Sequence, residues 1–242
     1  MKTESILSPL GWGLLPPRQN HYPIHPALPI LSLAEEALAH EVLETFYTQT
    51  SPHQTIEGLR ALLREYCQLH HFRLENEQES YLSEICKMHA FEAGPLTPLL
   101  HDKGIEEIVL TGISPAHPVR VYQTPTGWKE TPLYFTDPAA LISLFNRLTL
   151  DTGKRLSANT PVLNAILPTG ARIHAAISPI CSTDIEASIR LFTHRPTHPT
   201  ELLRLNTLTP ESFAYITLAL QLDCNLLIVG NTGSGKTTTL NA

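Results

Sequence analysis

Eight consecutive residues near the C-terminal end, Gly230-Asn231-Thr232-Gly233-Ser234-Gly235-Lys236-Thr237, have the composition and spacing of a phosphate-binding loop, G-x-x-x-x-G-K-[ST]. Glycines let the backbone curl so that successive N–H groups point into one concavity. Those donors stand at the start of the following helix, where the dipole favours negative charge, and the β-phosphate of a nucleotide is the ligand they suit. Lys236 can bring its ammonium to the β- and γ-phosphates, and the Thr237 hydroxyl is an oxygen ligand for Mg²⁺. ATP with Mg²⁺ is the expected ligand, held by Gly230, Asn231, Thr232, Gly233, Ser234, Gly235, Lys236, Thr237 and Thr238. Two glycines, a lysine and a Ser/Thr at these offsets arise by chance in about one chain of this length in a hundred. The flanks narrow that further. Asn225-Leu226-Leu227-Ile228-Val229 reads as a buried parallel strand running into the loop, and Thr238-Thr239-Leu240 opens a helix. A complete ATPase of this kind also needs an acidic residue on a later strand for Mg²⁺ and a group that orients water. The sequence has six residues after Lys236, so the expectation is a fragment that holds the beginnings of a nucleotide site without hydrolysing ATP.

The elements that would position this loop follow from patterning. Residues 1–30 hold Pro9, Pro16, Pro17, Pro23, Pro26 and Pro29 and read as an extended arm outside the core. Residues 31–95 read as a small helical region. Leu33, Ala37, Leu38 and Val42 recur at helical steps, then Ile56, Leu59, Leu63 and Tyr66 behind a Ser51-Pro52 start, then Tyr81, Leu82, Ile85 and Met88. Gly94-Pro95 closes that region. Residues 96–198 read as an α/β domain. Ile105–Leu110 is a helix end or a short strand. Val119–Tyr122 and Trp128–Phe135 form a hairpin about Pro125-Thr126-Gly127, and Asp137-Pro138 starts a helix that ends before Gly153. Ala165–Leu167 and Arg172–Ile177 form a second hairpin about Pro168-Thr169-Gly170, and Ala187–Phe192 is a further strand. The order suggests a mixed, mostly antiparallel sheet, so the fold class is α/β. Thr193–Pro199 reads as a linker, a helix starts at Thr209-Pro210-Glu211, and residues 199–242 would be the start of a nucleotide-binding domain.

Composition bounds the rest. The chain has 242 residues, 42% of them hydrophobic and 17% charged, which describes a globular protein of one or two domains. A net charge of −6 argues against a chain whose main task is to wrap nucleic acid. The first 95 residues carry 6 basic and 12 acidic side chains, and the remainder carries 11 of each. Cys67, Cys86, Cys181 and Cys224 show no zinc or redox spacing and read as free thiols in a reducing compartment. No apolar run is long enough to span a bilayer and the N-terminus lacks a signal-peptide pattern. Twelve histidines show no metal-ligand arrangement, because prolines interrupt the i,i+4 pairs His21/His25 and His194/His198. Ser178 and Ser182 lack a nucleophile-elbow motif, and Glu106-Glu107 reads as a solvated pair.

Three stretches ahead of the loop, together with it, resemble the type II/IV secretion system ATPases. Gly153-Lys154-Arg155-Leu156 is similar to that family's Gly-Arg-Arg-Ile. The run from Pro161 to Ala175 is similar to Pro-x-x-Asp-Ala-Arg-Leu-Pro-Asp-Gly-Ser-Arg-Val-Asn-Ala, and Ser188-Ile189-Arg190-Leu191-Phe192 to Ser-Ile-Arg-Lys-Phe. The resemblance covers residues 96–242 and is nearest the tight-adherence pilus and conjugation branch. It departs at Asn164, where aspartate is usual, at Ile166, where arginine is, and at His174, where asparagine is. The lost charges at 164 and 166 imply either an ion pair removed as a unit, with the fold intact, or relaxed selection on a decayed copy.

The resemblance implies a RecA-like ATPase domain beginning at residue 199, with an N-terminal domain that folds over the bound nucleotide. Arginines matching Arg172 and Arg190 then reach the phosphates, a task that suits the rigid fork of donors on a permanent cation. The alternative is that each pairs with a carboxylate of its own domain, such as Asp184 or Glu186, and Arg155 is nearer that alternative. For the full-length protein the family implies a homo-hexamer, peripheral to the cytoplasmic face of the inner membrane. There it would act on a secretion or pilus platform protein, with hydrolysis powering pilus assembly, conjugation or secretion and no direct contact with nucleic acid. The competing reading is a non-catalytic docking module with a vestigial loop.

Overall fold

The computed structural model describes residues 8–16, 18, 21–23, 28, 31–49, 54–72, 74–191, 198–231 and 234–242. The chain divides into two compact units, Met1–Phe192 and Thr193–Ala242.

In the first unit the expected helices form. α1 (Leu33–Thr48) starts at Ser32 in a reciprocal capping box: the Glu35 N–H donates to Ser32 Oγ at 3.3 Å and the Ser32 N–H to Glu35 Oε2 at 2.8 Å. α2 (Ile56–Leu69) starts at Thr55, whose Oγ1 accepts from the Gly58 N–H at 3.0 Å; the anticipated Ser51-Pro52 start lies outside the described residues. α3 (Asn76–Phe91) completes the group, and Leu38, Val42, Phe46, Leu59, Leu63, Leu82 and Ile85 bury one stripe of each helix. A 3₁₀ turn at Gly94–Leu96 and the short α4 (Thr97–His101) lead into the sheet.

Eight strands follow the expected pattern with three differences. β1 (Trp12–Leu14) belongs to the arm. β2 (Glu107–Leu110), β3 (Arg120–Gln123), β4 (Gly127–Glu130) and β5 (Leu133–Phe135) precede α5 (Pro138–Leu148), and β6 (Val162–Ile166), β7 (Arg172–Ile177) and β8 (Ile185–Arg190) follow it. Six of them form one sheet in the order β4-β3-β2-β8-β7-β6, every pair antiparallel. The architecture is mixed helix and antiparallel sheet, as the sequence implied. The first difference is one of bounds: the stretch Ile105–Leu110, expected as a helix end or a short strand, is a strand over Glu107–Leu110.

The second is that the return of the first hairpin divides. Pro132 has no N–H to donate, and at Thr131-Pro132 the chain leaves β3. Thr131 is fully buried and satisfied there: its N–H and its Oγ1 each donate to Val119 O at 2.8 Å.

The third difference corrects the arm. β5 pairs with β1, joining Trp12 to Phe135 and Leu14 to Leu133. Leu10, Trp12, Tyr22 and Leu28 are buried, so the arm contributes to the core it was expected to leave. Proline removes donors from this segment, but the non-proline residues between use theirs: the Leu15 N–H donates to Pro132 O and the Tyr22 N–H to Glu130 O, both at 2.7 Å. The Trp12 indole N–H donates to His89 Nε2 at 2.9 Å, fixing the arm to α3.

One face of the large sheet joins this core through Ile108, Leu110, Val121, Leu163, Ile173 and Ile189. The other face carries the polar alternation. α5 is capped by Asp137, whose oxygens accept from the Ala139 and Ala140 N–H groups at 2.8 and 3.2 Å, with Pro138 at the first turn. It gives way to a 3₁₀ turn that ends at Gly153 in the left-handed region, φ 67°.

In the second unit, residues 193–197 of the expected linker lie outside the described residues, and Pro199 opens a helix, α6 (Pro199–Arg204). α7 (Pro210–Gln221) starts at Thr209, as predicted. The run Asn225–Val229 does not form the expected strand. A parallel strand takes its ladder from a neighbour, and no described residue of this unit is in a strand. Leu227 and Val229 are therefore 88% and 81% exposed. No described helix is long and apolar enough to cross a membrane. All four cysteines are free, and burial pushes the Cys86 thiol up to about 12.

Burial lowers the His89 imidazole from 6.5 to about 4. An unfolded chain takes up a proton there below 6.5, whereas the folded chain refuses it until about 4. The contribution of this site to stability is complete above 6.5 and lost as pH falls toward 4, by about 3 kcal/mol at the limit. Urea midpoints measured across that window should fall less steeply in His89→Phe than in the parent chain.

Candidate functional site

The phosphate-binding loop opens α8 (Lys236–Leu240). Gly235 caps this helix in the left-handed conformation, φ 82°, which a side chain would strain. Gly230 is closely approached: a Cβ there would lie 2.5 Å from Ser234 Oγ, so that hydroxyl would have to rotate away. The Ser234 N–H donates to Asn231 O at 3.2 Å, and the Lys236 ammonium donates to the same carbonyl. Lys236 is thus held across the loop, while Thr237 and Thr238 occupy the first turn of α8. Thr232 and Gly233 lie outside the described residues. A lysine, free N–H groups of a helix start and the Thr237 hydroxyl are donors and a hard oxygen ligand of the types that fit a phosphate and Mg²⁺. Among the described residues, no group of three or more His, Cys, Asp and Glu side chains is placed to hold a metal ion.

In the first unit, the sheet brings Arg172 and Arg190 together. They are direct cross-strand partners on β7 and β8, and both are exposed. Neither forms an ion pair with a carboxylate among the described residues, so the alternative partners Asp184 and Glu186 are not taken. Glu186 accepts instead from Thr183 Oγ1 at 3.2 Å. On the other side of Arg190, its register partner on β2 is Glu107, which accepts from Ser188 Oγ at 2.6 Å. Glu107 is therefore tied to the sheet, which corrects its reading as half of a solvated pair. Two exposed arginines at paired positions, without an ion pair to a carboxylate among the described residues, form a surface suited to a polyanion.

Two of the departures from the family pattern, Asn164 and His174, meet in the structure. Asn164 faces His174 across β6 and β7, with Asn164 Oδ1 and His174 Nδ1 2.6 Å apart. Residues 164 and 174 are direct cross-strand neighbours, and residue 166 follows 164 on the same face of β6. Ile166 faces Arg172 and is 60% exposed. The Gly153–Leu156 stretch lies beside this edge. Lys154 donates to the Asn164 carbonyl, Asn146 clamps Leu156 by two hydrogen bonds of 2.9 and 2.6 Å, and Arg155 is exposed. Sequence reading did not single out Arg120, Tyr122 and Trp128, which share the outer face with the arginines. Strand alternation marks them as outward-facing, but only pairing shows that Tyr122 and Trp128 share the row of the arginines, with Arg120 in the next row.

Like charges directly opposite one another in a sheet cost about 0.2–1 kcal/mol. Arg172→Gln should therefore leave stability unchanged or raise it by that order. The gain, read as the thermal midpoint at low salt, should shrink at high salt, where a shorter Debye length screens the repulsion in the parent chain.

Residues 89–242, more than half of the chain, match the family described as Type II/IV secretion system protein. An uncharacterised protein of Methanocaldococcus jannaschii is 31% identical over 176 residues, 70% of this chain and 30% of that protein. The type IV secretion system protein VirB11 of Brucella suis is 29% identical over 177 residues, 63% of this chain and 47% of that protein. The crystal structure of the VirB11 ATPase from the Brucella suis type IV secretion system in complex with sulphate covers 60% of this chain and 49% of its own, at 27% identity and a TM-score of 0.39. The chain spans less than half the length of these curated relatives. On the matched residues, which run from the end of α3 through the phosphate-binding loop, the chain belongs to the type II/IV secretion system protein family.

Proposed function

We propose that this chain is the N-terminal part of a secretion or pilus-assembly motor ATPase, and that it binds ATP with Mg²⁺ at Gly230–Thr238. Lys236 contacts the phosphates, Thr237 ligates Mg²⁺, and Arg172 and Arg190 add phosphate contacts. The observation that carries this reading is the pair of exposed arginines in register that form no ion pair among the described residues, in a chain that also keeps the complete loop motif. A cation pair that costs stability is retained where an anion repays it. Residues 199–242 are then the beginning of a RecA-like domain. Hydrolysis belongs to the full-length protein, a homo-hexamer peripheral to the cytoplasmic face of the inner membrane and docked on a secretion or pilus platform protein. The nucleotide is the polyanion it meets, and direct nucleic-acid binding is not part of this function.

Titration with a fluorescent ATP analogue and Mg²⁺ tests this. Charge-assisted hydrogen bonds to phosphate are worth about 1.5–3 kcal/mol each, so Lys236→Ala should weaken binding at least about tenfold. Arg172→Gln combined with Arg190→Gln should weaken it by a similar factor without lowering the thermal midpoint. Equal binding by the parent and Lys236→Ala, or none by a folded parent chain, would sink the reading.

A further inference from the structure

The outward row that contains the two arginines continues across the sheet. Successive register partners are Ile166 on β6, Arg172 on β7, Arg190 on β8, Glu107 on β2, Tyr122 on β3 and Trp128 on β4. Neighbouring strands lie about 4.8 Å apart, which puts Tyr122 about 10 Å and Trp128 about 14 Å along the row from Arg190. One end of this line is cationic and the other aromatic, and its length is of the order of a nucleoside triphosphate.

The aromatic end is built, not incidental. The Tyr122 and Trp128 rings have centroids 5.3 Å apart with planes at 60°, and Arg120 Cζ lies 5.6 Å from the indole centroid. Trp128 braced in this way remains 44% exposed, whereas Trp12, the other tryptophan, is 5% exposed. Both rings stand on paired strands, so ordering them costs a ligand little. Between the two ends, Glu107 is held by Ser188 and offers carboxylate oxygens, acceptors of the type that sugar hydroxyls need.

We propose that Trp128, braced by Tyr122, is a stacking platform for the base of a nucleotide whose phosphates are held by Arg190 and Arg172, with Glu107 facing the ribose. This rests on the nucleotide-binding reading above and extends it from phosphate to base. The outer face of the first unit then distinguishes a nucleotide from a bare polyphosphate, a distinction that two arginines alone cannot make.

The test uses tryptophan emission of the full chain, titrated in parallel with MgATP, magnesium tripolyphosphate and a single-stranded oligothymidylate, with binding measured independently by competition against the fluorescent ATP analogue. MgATP should quench the emission, tripolyphosphate should compete without quenching, and the quench should disappear in Trp128→Phe when the remaining indole is Trp12. Stacking on an aromatic side chain contributes a factor of at least about five in affinity. Trp128→Ala should therefore weaken MgATP by that factor and leave tripolyphosphate unchanged, with thermal midpoints confirming that both variants are folded. Competition by MgATP with unchanged Trp128 emission, and with equal affinity in Trp128→Ala, overturns the platform while the phosphate reading stands. No competition by either ligand overturns both. Quenching by the oligonucleotide but not by MgATP also overturns the proposal, because the base then comes from a strand.

Discussion

The register of β7, β8 and β2 is the constraint on which the rest of the outer face depends. Side chains along a strand alternate between faces, so a slip of one residue would exchange the two faces completely. The inward row holds the register. Ile189 is the cross-strand partner of both Ile173 and Ile108, each of the three at most 2% exposed, with Ala165 and Val121 at the ends. Burying such a side chain is worth about 1.5–3 kcal/mol, well above the cost of two arginines opposed on the other face. The core therefore dictates the meeting of Arg172 and Arg190, and their repulsion is too small to undo it.

The sheet is kept open on that face by how its margins are closed. At one edge, Lys154 donates to the Asn164 carbonyl of β6, and a lysine at an edge discourages pairing with another chain. At the other, the arm runs past β4, where Tyr22 takes the Glu130 carbonyl and the Gln123 amide donates to the Tyr22 hydroxyl at 3.2 Å. The same arm supplies β1 and buries Trp12 against His89. A proline-rich segment can do this because proline removes a donor only at its own position and leaves the intervening residues able to bond.

The second unit obeys different physics. Among its described residues, Leu202 is the buried hydrophobic side chain, and the apolar run before the loop is exposed. The loop takes its shape from local terms instead: a left-handed Gly235, the close approach at Gly230, and the two groups that donate to the Asn231 carbonyl. Such terms are properties of a few adjacent residues and need no sheet behind them. That is why the curl before α8 is present where the preceding strand is not.

Local patterns were legible in the sequence for the same reason. The phosphate-binding motif, the three helices with their apolar stripes, the Asp137-Pro138 and Thr209-Pro210 helix starts and the two hairpins each depend on residues within a few positions of one another. Pairing between distant segments was not legible. Nothing in residues 12–14 names residues 133–135 as their partner, and the prolines around them point away from a sheet. Nothing in the spacing of residues 107, 122, 128, 172 and 190 shows that they are in one row. Residues 164 and 174 answer each other only because β6 and β7 pair in that register. The sequence by itself determined the elements and the loop motif, because those are set by local propensity and spacing. The tertiary structure alone decided the arm's place in the core, the opposed arginines and the aromatic end of their row, because register between strands far apart in sequence is fixed by burial of the opposite face.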